Sequence, residues 1–160
     1  SPRQAYRLLR EQNQLVLVFP EGVKGPSKLY KDRYQLRRFG RGGFVEIAMR
    51  SGVPIVPIAV VGAEESMPIL ARSSILAKAL GIPYAPLTAN MLAFGPVLGA
   101  ALYFPAKFKL RVLPPVRFDV APDQERYSRS RIMDEAEAIR RSLQENLYDM
   151  LRHRKSIWFG

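Results

Sequence analysis

Apolar positions recur along the chain in two rhythms. Ala5, Leu8 and Leu9 follow Pro2 at helical spacing, so Ser1 to Arg10 predicts a short amphipathic helix capped by Ser1. Asn13-Gln14 then turns the chain into Leu15 to Phe19, a continuous apolar run of the kind buried on both faces of a sheet. Pro20 and Gly22 end it. After a long polar loop, Gly42-Gly43 opens a second helix with Phe44, Ile47 and Ala48 on its apolar face and Gly52 as its C-terminal cap. Val53 to Val61 is a second apolar strand. Strand, loop, helix and strand in that order make a βαβ unit, which predicts an α/β fold with a mixed, mainly parallel sheet flanked by helices.

Residues 66–80 predict a further helix through Ile69, Leu70, Ile75, Leu76 and Leu80, leading into an uncharged stretch from Ala79 to Ala106. That stretch carries Leu87, Met91, Leu92, Phe94, Val97, Leu98, Leu102, Tyr103 and Phe104. It is broken by Pro83, Pro86, Pro96 and Pro105 and by Gly81, Gly95 and Gly99. Its length admits a membrane span of roughly 20 residues, but a proline inside a helix costs about 3 kcal/mol, which disfavours one continuous span. Lys109 to Leu113 and Val116 to Val120 alternate as strands around Pro114-Pro115, a pair suited to a bulge or an edge. Asp123 to Arg131 reads as a polar linker. From Ile132, the positions Ala136, Ile139, Leu143, Leu147, Met150 and Leu151 mark a long amphipathic helix that ends in Arg152, Arg154 and Lys155.

With 48% hydrophobic and 24% charged residues, the 160 positions suit one domain with a core. Cysteine is absent, which excludes a disulfide framework and thiolate metal sites. The net charge of +11 and pI near 10.3 point to an anionic partner, whether nucleic acid, acidic phospholipid or a phosphorylated substrate. Lys24, Lys28, Lys31, Arg33, Arg37, Arg38 and Arg41 share one loop with a single acid, Asp32. Tyr30, Tyr34 and Phe39 interleave with these cations, a combination that also suits single-stranded nucleic acid. The opening is neither a signal peptide nor a transit sequence. A chain that enters directly on a helix cap is expected to be cut from a longer one.

Glu21 closes the first strand at its carboxyl end, where open α/β sheets place their ligand crevices. Taken by itself, Pro-Glu-Gly reads equally well as such a site carboxylate or as a residue that merely caps or salt-bridges within the turn. Phe19-Pro20-Glu21-Gly22 resembles the third conserved block of the lysophosphatidate acyltransferase family, within the lysophospholipid and glycerol-3-phosphate acyltransferases. Val53 to Ile58 resembles the fourth block, and Phe39-Gly40-Arg41-Gly42-Gly43-Phe44 is similar to the segment between them. Ile82-Pro83-Tyr84, Pro105-Ala106-Lys107-Phe108 and Ser156 to Gly160 are similar to a bacterial subgroup. Where the third block usually continues Gly-Thr-Arg-Ser, this chain has Gly22-Val23-Lys24-Gly25, which loses a hydroxyl and replaces a bidentate fork by a point charge. That departure opens the way to a less charged acceptor such as diacylglycerol. The family's first block, a histidine and an aspartate separated by four residues, is not matched. His153 stands among Arg152, Arg154 and Lys155 with Trp158 five positions on, and reads as a surface residue.

The resemblance implies fatty acyl transfer from acyl-CoA or acyl carrier protein to a lysophospholipid hydroxyl, lysophosphatidic acid giving phosphatidic acid, in phospholipid biosynthesis. It implies no cofactor and no metal, and a His-Asp catalytic pair outside this chain, which is then an N-terminally truncated, single partial domain over 1–160. Within it, 1–65 is the acceptor-site core, 66–108 an apolar insertion facing the membrane or lining an acyl channel, and 109–160 edge strands with a C-terminal helix. Phe19, Pro20, Glu21, Gly22, Lys24, Phe39, Arg41 and Gly42 are the acceptor-binding residues so implied. The partners implied are the acyl donor, the lysophospholipid and an anionic membrane surface, met peripherally or monotopically at its cytoplasmic face, with no specific nucleic acid. Residues 82–106 dip into the membrane interface on this reading, or form a large core insertion. Two further readings keep the charge without the chemistry: a nucleic-acid-binding module, and a peripheral protein that only adheres to membranes.

Overall fold

A computed structural model describes residues 2–81, 85–124 and 126–158. The Ser1 cap, the Ile82-Pro83-Tyr84 segment and the terminal Phe159-Gly160 lie outside the described residues. Helices α1 (Pro2–Arg10) and α2 (Gly43–Ser51) precede strand β1 (Ile58–Val61), helix α3 (Ala63–Ser66), strand β2 (Ile69–Ser73) and helix α4 (Ser74–Leu80). Strand β3 (Ala85–Thr88), helix α5 (Ala89–Ala101), strand β4 (Lys109–Val112) and helix α6 (Arg129–Arg152) complete the order. Single 3-10 turns occupy Gly22–Lys24 and Tyr30–Asp32.

The fold is mixed α/β, but the sheet is not mainly parallel. β1 pairs with β4 and β2 with β3, giving two small antiparallel sheets. Residues 66–80 are not one helix, because Pro68 cannot sit inside one and Ser73 is a natural cap. The chain instead forms β2, then restarts at Ser73, whose hydroxyl accepts the Leu76 N–H at 3.2 Å. β2 lies antiparallel to β3 with Ile69 opposite Thr88 and Ser73 opposite Ala85, and an irregularity between Ile69 and Ala71.

The two sequence-predicted βαβ strands also differ from expectation. Leu15 to Phe19 forms no strand, and Leu17 and Phe19 are 74% and 76% exposed. A buried strand of this kind needs neighbours on both edges and helices on both faces, and no strand among the described residues pairs with it. In the second run, Pro54 and Pro57 lack the N–H groups a continuous ladder requires. The pairing there is a single bridge between Ile55 and Val116, followed by the Leu113 N–H donating to the Pro57 carbonyl at 2.9 Å. β1 proper begins only at Ile58, burying Ala59 and Val61 and leaving Ile58 and Val60 outward. Val116 makes its bridge, and the residues after it form no strand.

Two compact units divide the chain. The first holds Ser1–Gly22, Leu36–Ala59 and Arg111–Glu145. Here α1 packs on α2, and Phe39, Val45, Ala48, Met49, Leu113, Ile132, Ala136, Ile139 and Leu143 are buried. Gly52 closes α2 in the left-handed conformation, as expected. The buried face of α2 is rotated toward Val45 and Met49, with Phe44 and Ile47 only half-covered. α6 starts at Arg129, ahead of the predicted Ile132, and buries its apolar positions at the expected spacing.

The second unit holds Val23–Gln35, Val60–Leu110 and Asn146–Gly160. Its buried apolar side chains are Tyr34, Val61, Ile69, Ala77, Ala85, Leu147 and Met150. The uncharged stretch becomes β3 and a broken helix, α5, rather than a span. Among the described residues no helix is long and apolar enough to cross a membrane.

Candidate functional site

In the first unit the chain leaves its extended segment through a tight turn, with the Gly22 N–H donating to the Phe19 carbonyl at 3.0 Å. Pro20 fixes the backbone ahead of Glu21. The half-buried Glu21 side chain accepts, through Oε1, the backbone N–H of Arg37. Leu36, the residue before Arg37, is held by α6 at both its backbone groups. Its N–H donates to Gln144 Oε1 at 2.7 Å, and its carbonyl accepts from Arg140 Nη1 at 3.4 Å. Arg140 itself is set by a two-pronged pair with Glu137, at 2.9 and 2.6 Å. Those hydrogen bonds hold the Glu137 carboxyl below its ordinary pKa.

The loop then runs into a compact turn at the head of α2. Phe39 is buried and meets Phe44 edge-on, with ring centroids 6.0 Å apart at 74°. The Gly42 N–H donates to the Phe39 carbonyl at 3.2 Å, and the Gly42 carbonyl accepts from Val45 at 2.9 Å to start the helix. Gly42 has φ 73, and a Cβ placed there lies 2.7 Å from Ile132 Cγ2 and 3.0 Å from the Ile132 carbonyl. Conformation and space both demand glycine. Arg41 is exposed two residues before α2, where the helix dipole adds to its positive potential. Arg37 and Arg38 are exposed in the same loop.

The structure therefore connects Phe19, Pro20, Glu21 and Gly22 to Phe39, Arg41 and Gly42 through the Arg37 backbone. Lys24 belongs to the second unit, exposed in the Gly22–Lys24 turn. Elsewhere in the first unit, an open groove of about 510 Å³ runs along α1 and α2, lined by Arg3, Tyr6, Arg7, Glu46 and Arg50 among others. The Tyr6 hydroxyl donates to Asp123 at 2.5 Å, and that bond raises its pKa above the ordinary tyrosine value.

Sequence reasoning missed a charged network in the second unit. Lys28, expected as a loop cation, is buried, paired with Glu64 at 2.9 Å and donating to the Gln35 carbonyl at 3.1 Å. The buried Tyr34 hydroxyl donates to the Glu65 carboxylate and accepts the Gly62 N–H at 2.9 Å, while the Tyr34 N–H donates to Glu64. Arg154 pairs with Glu65 at 3.0 Å with both side chains only 4% exposed, and donates to the carbonyls of Lys107 and Ile157 at 3.2 and 3.1 Å. Burial pushes the Tyr34 hydroxyl's pKa well above its ordinary value, and the hydrogen bond to Glu65 adds to the rise. The available signal was a pair of carboxylates directly after a strand and a glycine, Gly62-Ala63-Glu64-Glu65, where solvent-facing charge is not required. Arg33, Tyr148 and Lys155 join Tyr34, Glu65 and Arg154 around a shallow cavity of about 580 Å³.

These contacts also bear on the loop's aromatics. Tyr34 and Phe39 are buried, and the Arg33 guanidinium lies 4.4 Å from the Tyr30 ring centre, so the three do not form an exposed stacking row. His153 is exposed in the turn just past the end of α6, with Nδ1 2.9 Å from the Asp149 carbonyl. It stands as a surface residue, as its sequence context implied.

Residues 2–61 match the family described as Acyltransferase, and this is the stretch that holds Glu21 and the Phe39–Gly42 turn. The match supports the acyltransferase family and leaves the subfamily open. An uncharacterized protein of Mycobacterium tuberculosis (strain ATCC 25618 / H37Rv) is 37% identical over 156 residues, covering 98% of this chain and 43% of that protein. An uncharacterized protein of Mycobacterium bovis shows the same identity and coverage, and one of Mycobacterium leprae is 36% identical over 156 residues, 98% of this chain and 42% of its own length. The chain thus spans less than half the length of these relatives. No solved structure matches it.

Proposed function

We propose that this chain is the acceptor-positioning part of a glycerolipid O-acyltransferase, which passes a fatty acyl group from acyl-CoA or acyl carrier protein to lysophosphatidate. The observation that carries the reading is the bond between Glu21 and the Arg37 N–H, inside the segment that matches the acyltransferase family. It ties the Phe-Pro-Glu-Gly turn to the loop that presents Arg41 at the head of α2. A guanidinium beside a helix start suits a lipid phosphate, and fixing it in place converts binding into orientation.

In the proposed step the acceptor's hydroxyl oxygen attacks the thioester carbonyl. A C–O bond forms, the C–S bond breaks, the hydroxyl proton passes to a base, and the donor leaves as its thiol after gaining a proton. No metal is needed. The base, a contribution of about 10²–10⁴-fold, is assigned to a His-Asp pair outside these residues, since His153 sits exposed at the end of α6. The test is to supply the longer protein containing this chain with labelled acyl-CoA and either lysophosphatidate or diacylglycerol. Labelled phosphatidate is expected; a folded protein that acylates neither acceptor removes the reading, and transfer to diacylglycerol alone reassigns the acceptor.

A further inference from the structure

Within the second unit, α5 (Ala89–Ala101) folds into a closed hairpin. Thr88 caps its first limb by accepting the Met91 N–H at 3.2 Å, and the limb runs from Ala89 to Phe94. Gly95, at φ 81 and ψ 166, then breaks the helix, and Pro96 starts the second limb. The limbs fold back on each other so closely that a Cβ on Gly99 falls 2.4 Å from the Asn90 carbonyl oxygen and from Met91 Cα. Asn90 closes the base. Its side chain is fully buried, and Nδ2 donates to the Leu102 carbonyl at 2.8 Å and the Ser66 carbonyl at 3.1 Å.

This braced element presents its apolar side chains outward. Leu92 and Val97 are each 80% exposed and Leu98 is 60% exposed, a pattern opposite to that of a core insertion. Phe94 meets Phe104 at 5.9 Å, and Phe104 meets the exposed Trp158 edge-on at 6.3 Å. Tyr103, just past the returning limb, is exposed as well. From Ser66 to Leu110 there is no aspartate or glutamate, while Arg72, Lys78, Lys107 and Lys109 stand outside the uncharged run.

We propose that α5 is a re-entrant hairpin that seats in one leaflet of an anionic phospholipid bilayer. A limb from Ala89 to Phe94 rises about 9 Å, which matches an interfacial depth of about 5–10 Å and falls far short of the roughly 30 Å hydrocarbon core. Thr88 caps the first limb, but limbs of this length leave many backbone groups without an intrahelical partner. That suits a shallow interfacial seat within reach of headgroup water rather than the dry hydrocarbon core. Tyr103 and Trp158 are of the type that favours the headgroup level, and the cations that flank the uncharged run in sequence carry the sign that complements anionic lipid. The inference stands on the second unit's surface and not on the acyl-transfer reading.

Trp158 is the chain's one tryptophan, so its emission reports depth without a label. The 160-residue chain is mixed with phosphatidylcholine vesicles with and without phosphatidylglycerol. A blue-shifted emission quenched by lipids brominated near the headgroup is expected, with co-sedimentation at least tenfold stronger on the anionic vesicles. Leu98→Asp should lower co-sedimentation tenfold or more, and the milder Val97→Ser should lower it severalfold with unchanged circular dichroism. Unshifted Trp158 emission with no co-sedimentation overturns the proposal. So does wild-type binding by Leu98→Asp, or a concentration-dependent dimer lost in that variant when no vesicle binding occurs.

Discussion

The Glu21 carboxylate and the Arg37 backbone N–H join the turn after Phe19 to the loop that leads into α2. A hydrogen bond to a charged acceptor contributes about 1.5–3 kcal/mol, enough to hold a short loop in one arrangement. Glu21→Ala removes the acceptor and is expected to lower stability by about 1–2 kcal/mol, while Glu21→Gln keeps a carbonyl oxygen and loses less. Chemical denaturation of the two variants checks this. Equal stability of Glu21→Ala and wild type would mean that the bond does not form in solution.

Gly42 stands against Ile132 at the start of α2 with φ 73. Gly42→Ala must adopt a left-handed backbone and displace the Ile132 side chain, an overpacking cost of about 1–3 kcal/mol. A lowered denaturation midpoint is expected with an unchanged denaturant slope. Gly40, also at positive φ but with open space around it, is expected to accept alanine at smaller cost.

Arg154 and Glu65 form a buried pair that Tyr34 and two backbone carbonyls complete. Removing one partner leaves the other charge buried and unpaired, which typically costs about 3–5 kcal/mol. Arg154→Met and Glu65→Leu are each expected to destabilise the chain strongly, while the two combined lose less than the sum. A double-mutant cycle in denaturant measures that coupling, and strict additivity would deny it.

The Tyr34 hydroxyl titrates above its ordinary value because burial and Glu65 both disfavour the phenolate. The folded state therefore holds this proton more tightly than the unfolded state, so its contribution is fully present below about pH 10, the unfolded tyrosine value. Stability is expected to fall as pH rises beyond that point, more steeply in wild type than in Tyr34→Phe. Parallel slopes for the two proteins would exclude Tyr34 as the group responsible.

Local signals were legible in the sequence and non-local ones were not. The apolar positions of α6 announce a helix because many turns repeat the same spacing, and Gly42 and Gly52 bracket α2 because each end needs a backbone that glycine supplies. Leu15 to Phe19 reads as a buried strand from composition, yet burial is conferred by neighbours that the run itself cannot specify. Ile69 and Leu70 fit a helical period only when Pro68 and the capping Ser73 are overlooked. In the candidate site, Glu21 and Arg41 were visible through motif resemblance. The Leu36 clamp by Arg140 and Gln144, and the Glu65–Arg154 pair, join residues far apart in sequence, and no local pattern marks them.

Arg41 is the side chain that most directly joins structure to proposed chemistry. The deciding measurement is steady-state acyl transfer by the longer protein containing this chain, wild type and Arg41→Ala, with lysophosphatidate and acyl-CoA varied separately. The account predicts a KM for lysophosphatidate raised about tenfold, the loss of roughly 1.4 kcal/mol of phosphate recognition, and a KM for acyl-CoA left nearly unchanged. Equal effects on both substrates, or none on either, would contradict an acceptor site built on the Glu21–Arg37 link.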